Sequence, residues 1–416
     1  MQTVISVDDS TLADVEIAET RAQTWIIEPY DPLIVRDGRP FNPDPGARAT
    51  SLAFPFPSTT TGGLRSRAGI GSNGSFDRNL IDEVKKIAVR GPLLVALNEQ
   101  GEIAEWLLPA PADALLLKGE QGSIERQQLV PLALPEGTVH NLPDGLALIG
   151  PQRYKRAKPL SDHKAPRFWH WEAIRAWLEA PQDGTIELEA LGVAGPQEER
   201  RTHVRITPDA QTAMEGFLFQ TSGREFFSPK HRLAMAVTSE GELSPSAGLA
   251  PLGGERRLMS WRLSTVALAA CSDSLAETIA QKGYCRLILL TPAVFSNPYR
   301  PAWLLEPRDG VTPSLQAALV PRSQVVSGWD MAAQRTDKEG KMIYGAPKPT
   351  RRLAPAGSVF FLRLDGDAEA IQKWVRNYWM CEVSDAALDR HDGFGLAALG
   401  TWSGVPLPLK VEAINA

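Results

Sequence analysis

Small hydroxyl residues, glycines and arginines form the first cluster of side chains whose types and spacing could do chemistry. The run Pro57-Ser58-Thr59-Thr60-Thr61-Gly62-Gly63-Leu64-Arg65 predicts a helix start in which Ser58, Thr59 or Thr60 caps the first turn. Free backbone N–H groups at a helix start attract phosphate, and arginines add paired hydrogen bonds. The residues predicted to form this anion site are Arg36, Arg39, Ser58, Thr59, Thr60, Gly62 and Arg65.

The same spacing also fits an ordinary capped helix beneath a loop. A Walker loop is excluded, because no Gly-Lys-Ser/Thr follows the glycines.

Basic and aromatic side chains alternate in a second cluster, over residues 153–171. This composition suits single-stranded nucleic acid, since the charges follow the backbone while the rings stack on bases. The alternative is a solvated loop followed by a core helix over 169–178, because Trp171 and Trp177 recur at helical spacing. The residues predicted to contact RNA in this cluster are Arg153, Lys155 and Arg156.

A third cluster lies on a predicted strand, Thr202–Ile206, in which polar and apolar residues alternate. Alternation places Arg201, His203 and Arg205 on one face. His203 could act as a general base in RNA cleavage. No second histidine has a matching spacing, so a hairpin that contacts RNA or packs on a neighbour is the favoured interpretation.

Glycines that permit close backbone approach to a ligand form the fourth cluster, although tight turns explain them equally well. Its members are Gly253, Gly254, Arg256, Gly393 and Gly395. No carboxylate pair, metal-ligand spacing or nucleophile elbow stands out in the sequence. The sequence therefore predicts no catalytic residue, no metal and no cofactor.

Composition bounds the function further. A chain of 416 residues predicts two domains, and its net charge of −5 argues against a wholly basic nucleic-acid binder. A local basic groove remains compatible with that charge, and protein neighbours are expected. Three cysteines without a CxxC pair suit a reducing cytoplasm. No apolar run reaches the roughly 20 residues of a membrane helix, so no membrane contact is expected.

Glycine and proline punctuation predicts many short elements, arranged as α+β domains with antiparallel sheets. Residues 1–22 are acidic and polar, unlike a signal peptide, and are predicted to form a flexible N-terminal arm. Two domains are predicted over 23–225 and 226–416, and the first carries a Pro/Gly-rich insertion at 109–170.

An ordered set of motifs resembles one protein family. It begins with the runs 31–41 and 54–65 and continues through Leu252-Gly253-Gly254-Glu255, Leu290-Thr291-Pro292-Ala293 and Gly393-Phe394-Gly395. The set spans residues 25–402 and is similar to the third-subunit family of Cmr-type, or type III-B, CRISPR RAMP complexes.

The resemblance implies two ferredoxin-like (RRM-like) RAMP domains with loop and hairpin insertions. It also implies binding of the 5′ tag of the guide (CRISPR) RNA, in antiviral defence. The implied protein neighbours are the large cyclase-containing signalling subunit and the adjacent backbone RAMP subunit, and target RNA is reached indirectly. Arm 1–22 is an addition to the family pattern, and insertion 109–170 lies in a variable region.

We therefore expect a non-catalytic, cytoplasmic RNA-binding subunit. One alternative is a metal-independent RAMP endoribonuclease that processes repeat RNA, with His203 as base. The other is a structural scaffold that touches no RNA.

Overall fold

The computed structural model describes residues 22–36, 48–71, 74–143, 145–151, 157–161, 164–227, 230–336 and 339–408. Four residues predicted to contact RNA lie outside these ranges: Arg39, Arg153, Lys155 and Arg156. Residues 1–21 of the predicted arm 1–22 also lie outside them. Strands account for 44% and helices for 18% of the structure, which confirms a mixed α/β protein with several sheets.

The strands are, in chain order, β1 (Gln23–Pro29), β2 (Arg48–Ala49), β3 (Ala88–Leu97), β4 (Ile103–Pro109), β5 (Ala114–Lys118), β6 (Ile124–Ala133), β7 (Leu148–Pro151), β8 (Phe168–His170), β9 (Gly184–Ile186), β10 (Gly192–Val193), β11 (Gln197–Ile206), β12 (Ala213–Glu225), β13 (Arg232–Glu240), β14 (Gly248–Pro251), β15 (Leu258–Ser264), β16 (Tyr284–Leu289), β17 (Thr312–Leu319), β18 (Gln324–Val326), β19 (Trp329–Thr336), β20 (Met342–Pro347), β21 (Arg351–Leu353), β22 (Val359–Asp365), β23 (Cys381–Glu382), β24 (Leu396–Thr401) and β25 (Leu407–Pro408). The α-helices are α1 (Pro57–Ala68), α2 (Ile81–Lys85), α3 (Trp171–Glu179), α4 (Leu188–Leu191), α5 (Asp273–Lys282), α6 (Ala368–Tyr378) and α7 (Ala387–His391).

The first large sheet has the strand order β10-β8-β4-β3-β13-β1-β15-β14, with antiparallel neighbours throughout. Strand β1 lies inside the sheet, and successive side chains of β1 point to opposite faces. Both faces are buried, because a separate core cluster packs on each. Trp25 and Ile27 pack with Leu64 of α1, whereas Ile26 points to the opposite face. Helix α1 lies close to the sheet at Gly63, where a Cβ atom would be 2.5 Å from Leu252 Cδ1.

The second large sheet has the order β17-β22-β16-β24-β23 and packs against the first. Ile288 of β16 and Phe361 of β22 share a buried core with Ile26. Helices α5 and α6 cover the outer face through residues such as Ile279 and Trp374. The main body thus has four layers, helix–sheet–sheet–helix. Burial of each large apolar side chain contributes roughly 1.5–3 kcal/mol to the free energy of folding.

The two sheets share one internal arrangement. In the first sheet, four neighbouring strands lie in the order β3-β13-β1-β15. Numbered by their order in the sequence, they are the second, third, first and fourth of this set. In the second, β17-β22-β16-β24 repeat that order. Strands β13 to β15 of the first sheet come after residue 225, so a division of the chain by sheet falls between Ser264 and Tyr284.

One local prediction needs correction. Helix α3 begins at Trp171 rather than at Trp169, because Phe168–His170 pair with β4 as strand β8. The insertion after β4 is largely regular: β6 pairs with β5, β7 and β9, and with β25 near the end of the described chain. Strand pairing across distant segments, which periodicity does not reveal, sets both the start of α3 and the pairing of β6 with β25.

Candidate nucleic-acid interface

A cleft of about 260 Å³ brings together members of two predicted clusters, the first and the fourth. It lies between the segment after β1, the start of α1, the Gly253–Gly254 turn and the end of β18. Its predicted members are Arg36, Ser58, Thr59, Gly253 and Gly254. We refer to it as the glycine cleft.

The start of α1 contributes Ser58 and Thr59 to this cleft, and the Thr59 N–H donates to the Phe56 carbonyl at 3.0 Å. Phe56 is the N-cap residue and Pro57 follows at the first helical position, where its missing N–H costs nothing. Phe56 offers no capping side chain, so the predicted cap at Ser58, Thr59 or Thr60 is replaced by an apolar one. Thr60 is buried and donates its hydroxyl to the Pro57 carbonyl at 3.1 Å. A helix start without a side-chain cap retains its capacity for an anion.

The Gly253–Gly254 turn is held against the segment after β1. Gly253 has φ +75°, and a Cβ atom there would lie 2.5 Å from the Ile34 carbonyl oxygen. Gly254 donates its N–H to that same oxygen at 2.7 Å. Arg256 follows, exposed and with φ +53°. The glycines are therefore required by close backbone approach, and they form one wall of the cleft.

Arg65 and Gly62 do not join the glycine cleft. The Nη1 atom of Arg65 lies 2.6 Å from Oδ1 of Asp392, and its Nε and Nη2 atoms donate to the Ile87 carbonyl at 3.1 and 2.8 Å. Arg65 is thus a tie between α1 and the loop after α7 rather than a free phosphate ligand. Gly62 is exposed and lines a different cleft.

Gly393 and Gly395 are buried, Gly393 against β3 of the first sheet and Gly395 against the segment after β23. A Cβ atom on Gly393 would lie 2.7 Å from the Val89 carbonyl oxygen, and one on Gly395 would lie 2.7 Å from the Ser384 nitrogen. The Thr291 hydroxyl, which the sequence did not single out, donates to Gly393 O at 2.7 Å and accepts from Gly395 N at 3.1 Å. These glycines therefore have a structural role in the chain.

The third cluster lies on a long hairpin formed by β11 and β12. His203 pairs across the strands with Phe219, and their rings stack at 5.2 Å with an interplanar angle of 16°. His203 Nε2 lies 2.9 Å from Thr221 Oγ1, and the Arg205 guanidinium lies 5.7 Å from the Phe217 ring. The alternation of the paired strands places Arg201, His203 and Arg205 on one face.

Arg201 is paired on that face with Glu199, at 2.6 Å between Nε and Oε1. The hydrogen bond to Glu199 raises the pKa of Arg201, so its charge is fixed. Residues of β11 are largely exposed, which makes the hairpin a projecting arm that carries basic and aromatic groups together.

The cysteine thiols in the described residues are poor nucleophiles at neutral pH. Burial raises the pKa of Cys285 to about 12 and those of Cys271 and Cys381 to about 11, so the thiols stay protonated at neutral pH. Within the described ranges no group of three or more His, Cys, Asp or Glu residues is placed to hold a metal. No helix in the described part of the chain is long and apolar enough to span a membrane.

Comparison with known proteins gives the class. A family model described as CRISPR-associated protein (Cas_Cmr3) matches residues 25–402. The chain therefore belongs to the Cas_Cmr3 family, which confirms the resemblance found in its motifs and assigns it to type III-B CRISPR effector complexes. No curated protein matches the chain.

Solved structures give distant similarities. A chain of the type III-B Cmr-beta complex bound to cognate target RNA and AMPPnP is 13% identical, with a TM-score of 0.40 over 82% of this chain and 86% of that chain. A second Cmr-beta structure, bound to cognate target RNA, has 13% identity, a TM-score of 0.38 and the same coverage. A chain of the Csm3-Csm4 subcomplex of the type III-A interference complex has 9% identity and a TM-score of 0.35, over 83% and 94%.

Proposed function

We propose that this chain is a non-catalytic subunit of a type III-B effector complex that binds the 5′ tag of the guide RNA. The observation that carries the proposal is the glycine cleft, which joins a helix start without a side-chain cap, a glycine turn and Arg36. Backbone N–H groups at such a helix end bind a phosphate, and an arginine beside them neutralises its charge.

The hairpin β11–β12 supplies the second part of the proposal. Its His203, Phe219 and Arg205 side chains suit unstacked bases, because rings and guanidinium planes both stack on them. A projecting hairpin of this kind would splay the bases that separate the tag from the guide. Predicted contacts at Arg39, Arg153, Lys155 and Arg156 remain part of the proposal from the sequence.

Two ferredoxin-like domains are the architecture we propose for this role. The shared strand order, second-third-first-fourth, is that of a ferredoxin-like sheet, in which helix α1 connects the first two strands of one copy. In the other copy, α6 connects the third and fourth strands. RRM-like sheets of this kind are a common platform for single-stranded RNA.

Protein partners complete the proposal: the large cyclase-containing signalling subunit and the adjacent backbone RAMP subunit. A chain with a net charge of −5 attracts RNA weakly outside its local basic sites, so protein contacts are expected beside them. The second face of the hairpin supports this, since Val204, Ile206 and Leu218 are exposed there.

The glycine cleft is tested by a charge placed where the phosphate is proposed to bind. Ser58→Asp puts a carboxylate in the first turn of α1, where it favours the helix but repels phosphate. Ser58→Asn is the neutral control of similar shape. In tag-RNA titrations at several salt concentrations, we expect Ser58→Asp to weaken binding about tenfold and Ser58→Asn about twofold or less. Equal affinities for the two variants would remove the cleft from the RNA-binding surface.

A further inference from the structure

A second cleft, of about 590 Å³, lies between α1, the segments 70–71 and 74–85, and the paired strands β19 and β20. Trp329, Tyr344 and Ile70 line it and are 51%, 48% and 43% exposed. Large apolar side chains that face outward together mark a docking surface. We refer to this site as the aromatic cleft.

The rings of the aromatic cleft are held in position from behind. Gly345 has φ +94°, and a Cβ atom there would lie 2.3 Å from Trp329 Nε1, so the indole rests directly on the backbone of β20. The Arg78 guanidinium lies 4.4 Å from the centre of the Tyr344 ring. Such pre-positioned rings bind a ligand with little loss of side-chain entropy.

The charge of the aromatic cleft is the reverse of the charge of the chain. Arg78, Lys85 and Lys348 line it, against a single carboxylate from Asp330, while Arg65 is already tied to Asp392. The chain as a whole has a net charge of −5. The cleft therefore suits an occupant that combines apolar side chains with carboxylates.

The segment 1–21 of this chain has that composition. Its charged residues are Asp8, Asp9, Asp14, Glu16, Glu19 and Arg21, and its larger apolar residues are Val4, Ile5, Val7, Leu12, Val15 and Ile17. From this complementarity we infer that residues 1–21 dock in the aromatic cleft and cover its exposed rings.

The position of β1 allows this docking. Gln23 pairs with Ser239, and Ser239 pairs with Val89, so the start of β1 lies two strand spacings, about 10 Å, from the start of β3. Lys85, a lining residue, ends α2 three positions before β3. A segment of 21 residues spans up to about 70 Å when extended, which exceeds the separation several-fold.

Single-stranded RNA is the competing occupant, since rings beside cations also suit it. The floor of the aromatic cleft favours the peptide segment. Ile70, Ile81 and Val84 are aliphatic and offer no side-chain hydrogen bonds to the polar edges of bases. A segment tethered to the same chain also acts at an effective concentration on the order of millimolar.

Hydrogen exchange of the full chain tests the inference. The readout is the rate of amide hydrogen exchange in peptides covering 70–85 and 329–348. In the test variant, called the neutralised variant, each Asp of segment 1–21 is changed to Asn and each Glu to Gln. We expect at least about threefold faster exchange in this variant and in Lys348→Glu, because both weaken the charge attraction. Lys373→Glu, exposed on α6 at the outer face of the second sheet, is the control and should leave exchange unchanged.

Salt, the neutralised variant and added guide RNA each give a further outcome. Raising the salt from about 0.1 M to about 1 M, which shortens the Debye length from about 10 to about 3 Å, should abolish most of the difference between wild type and the neutralised variant. Unchanged exchange in the neutralised variant would overturn the inference. Protection that arises only when guide RNA is added would also overturn it, and would assign the cleft to RNA.

Discussion

Arg65 and Asp392 form an ion pair of 2.6 Å across 327 residues of sequence, between helix α1 and the loop after α7. Both side chains are largely shielded, at 16% and 18% exposure. The guanidinium also donates to the Ile87 carbonyl, at the entrance to β3. A residue predicted to hold RNA therefore joins three segments of the protein.

Arg65→Ala should lower the free energy of unfolding by about 2 kcal/mol, because it leaves a carboxylate and a carbonyl without their donor. Asp392→Ala should lower it by a similar amount. In a double-mutant cycle measured by urea unfolding, we expect a coupling of about 1–2 kcal/mol between the two. Strictly additive losses would show that the ion pair contributes nothing, and a reduced salt slope of RNA binding in Arg65→Ala would return this residue to the RNA surface.

Asp113 and Arg286 form a fully buried ion pair that joins the insertion to the second sheet. Trp177 Nε1 donates to Asp113 at 2.9 Å, and Arg286 Nε donates to the Thr401 carbonyl at 2.8 Å. Asp113→Ala should cost about 3–5 kcal/mol, because a buried guanidinium loses its counter-charge. Asp113→Ala with Arg286→Met should recover part of that loss in chemical unfolding. A double variant less stable than Asp113→Ala would contradict this account.

Burial raises the pKa of Glu382 to about 7, although Arg90 at 3.5 Å acts in the opposite direction. The unfolded chain titrates this carboxyl near 4.5, so the folded state binds the extra proton between about pH 4.5 and 7. The free energy of unfolding is therefore highest with respect to this group at low pH. It falls as the pH rises from about 4.5 to about 7, and this group changes it no further at higher pH. At pH 8 we expect Glu382→Gln to be more stable than wild type by about 1–3 kcal/mol.

Unfolding midpoints measured at pH 5 and pH 8 check this prediction. Glu240→Gln is the matched control, since Glu240 is 41% exposed in the same neighbourhood. The control should keep most of the decline of wild type, since Glu240 adds only a secondary electrostatic contribution to the raised pKa of Glu382, whereas Glu382→Gln should flatten it. The same decline in both variants would show that Glu382 is not the group responsible.

His203 is engaged with Thr221 and stacked on Phe219, an arrangement that suits binding more than proton transfer. Metal-free incubation of the purified chain with repeat RNA should therefore give no product above the buffer rate. His203→Ala should instead weaken RNA affinity by about threefold to tenfold, through loss of one stacking ring. Cleavage by the wild type that disappears in His203→Ala would establish the endoribonuclease alternative.

Local patterns predicted much of this fold. The strand predicted over Thr202–Ile206 lies within β11, and the helix predicted over 169–178 overlaps α3, because alternation and helical spacing act over short distances. The start of α1 was predicted at the right place, but its cap was not, because Phe56 and Pro57 satisfy the helix without a polar side chain.

The candidate site was predicted only in parts. Arg36 and Ser58 were predicted in one cluster and Gly253 in another, and the structure brings all three to one cleft. Arg65 and Gly393 were grouped with them because the sequence does not show which distant residues an arginine or a glycine will contact. The pairing of Arg65 with Asp392, and the approach of Gly393 to Val89, depend on strand order across the whole chain. The aromatic cleft was missed for the same reason, since its walls lie some 250 residues apart.

Crosslinking within the assembled effector complex tests the central claim most directly. Guide RNA carrying a photoreactive nucleotide at each tag position in turn would be irradiated, and the crosslinked peptides identified. Crosslinks from tag positions to peptides containing residues 34–36, 57–60 or 252–256, together with the hairpin 197–225, are the predicted result. Tag crosslinks confined to other subunits, with none on this chain, would contradict it.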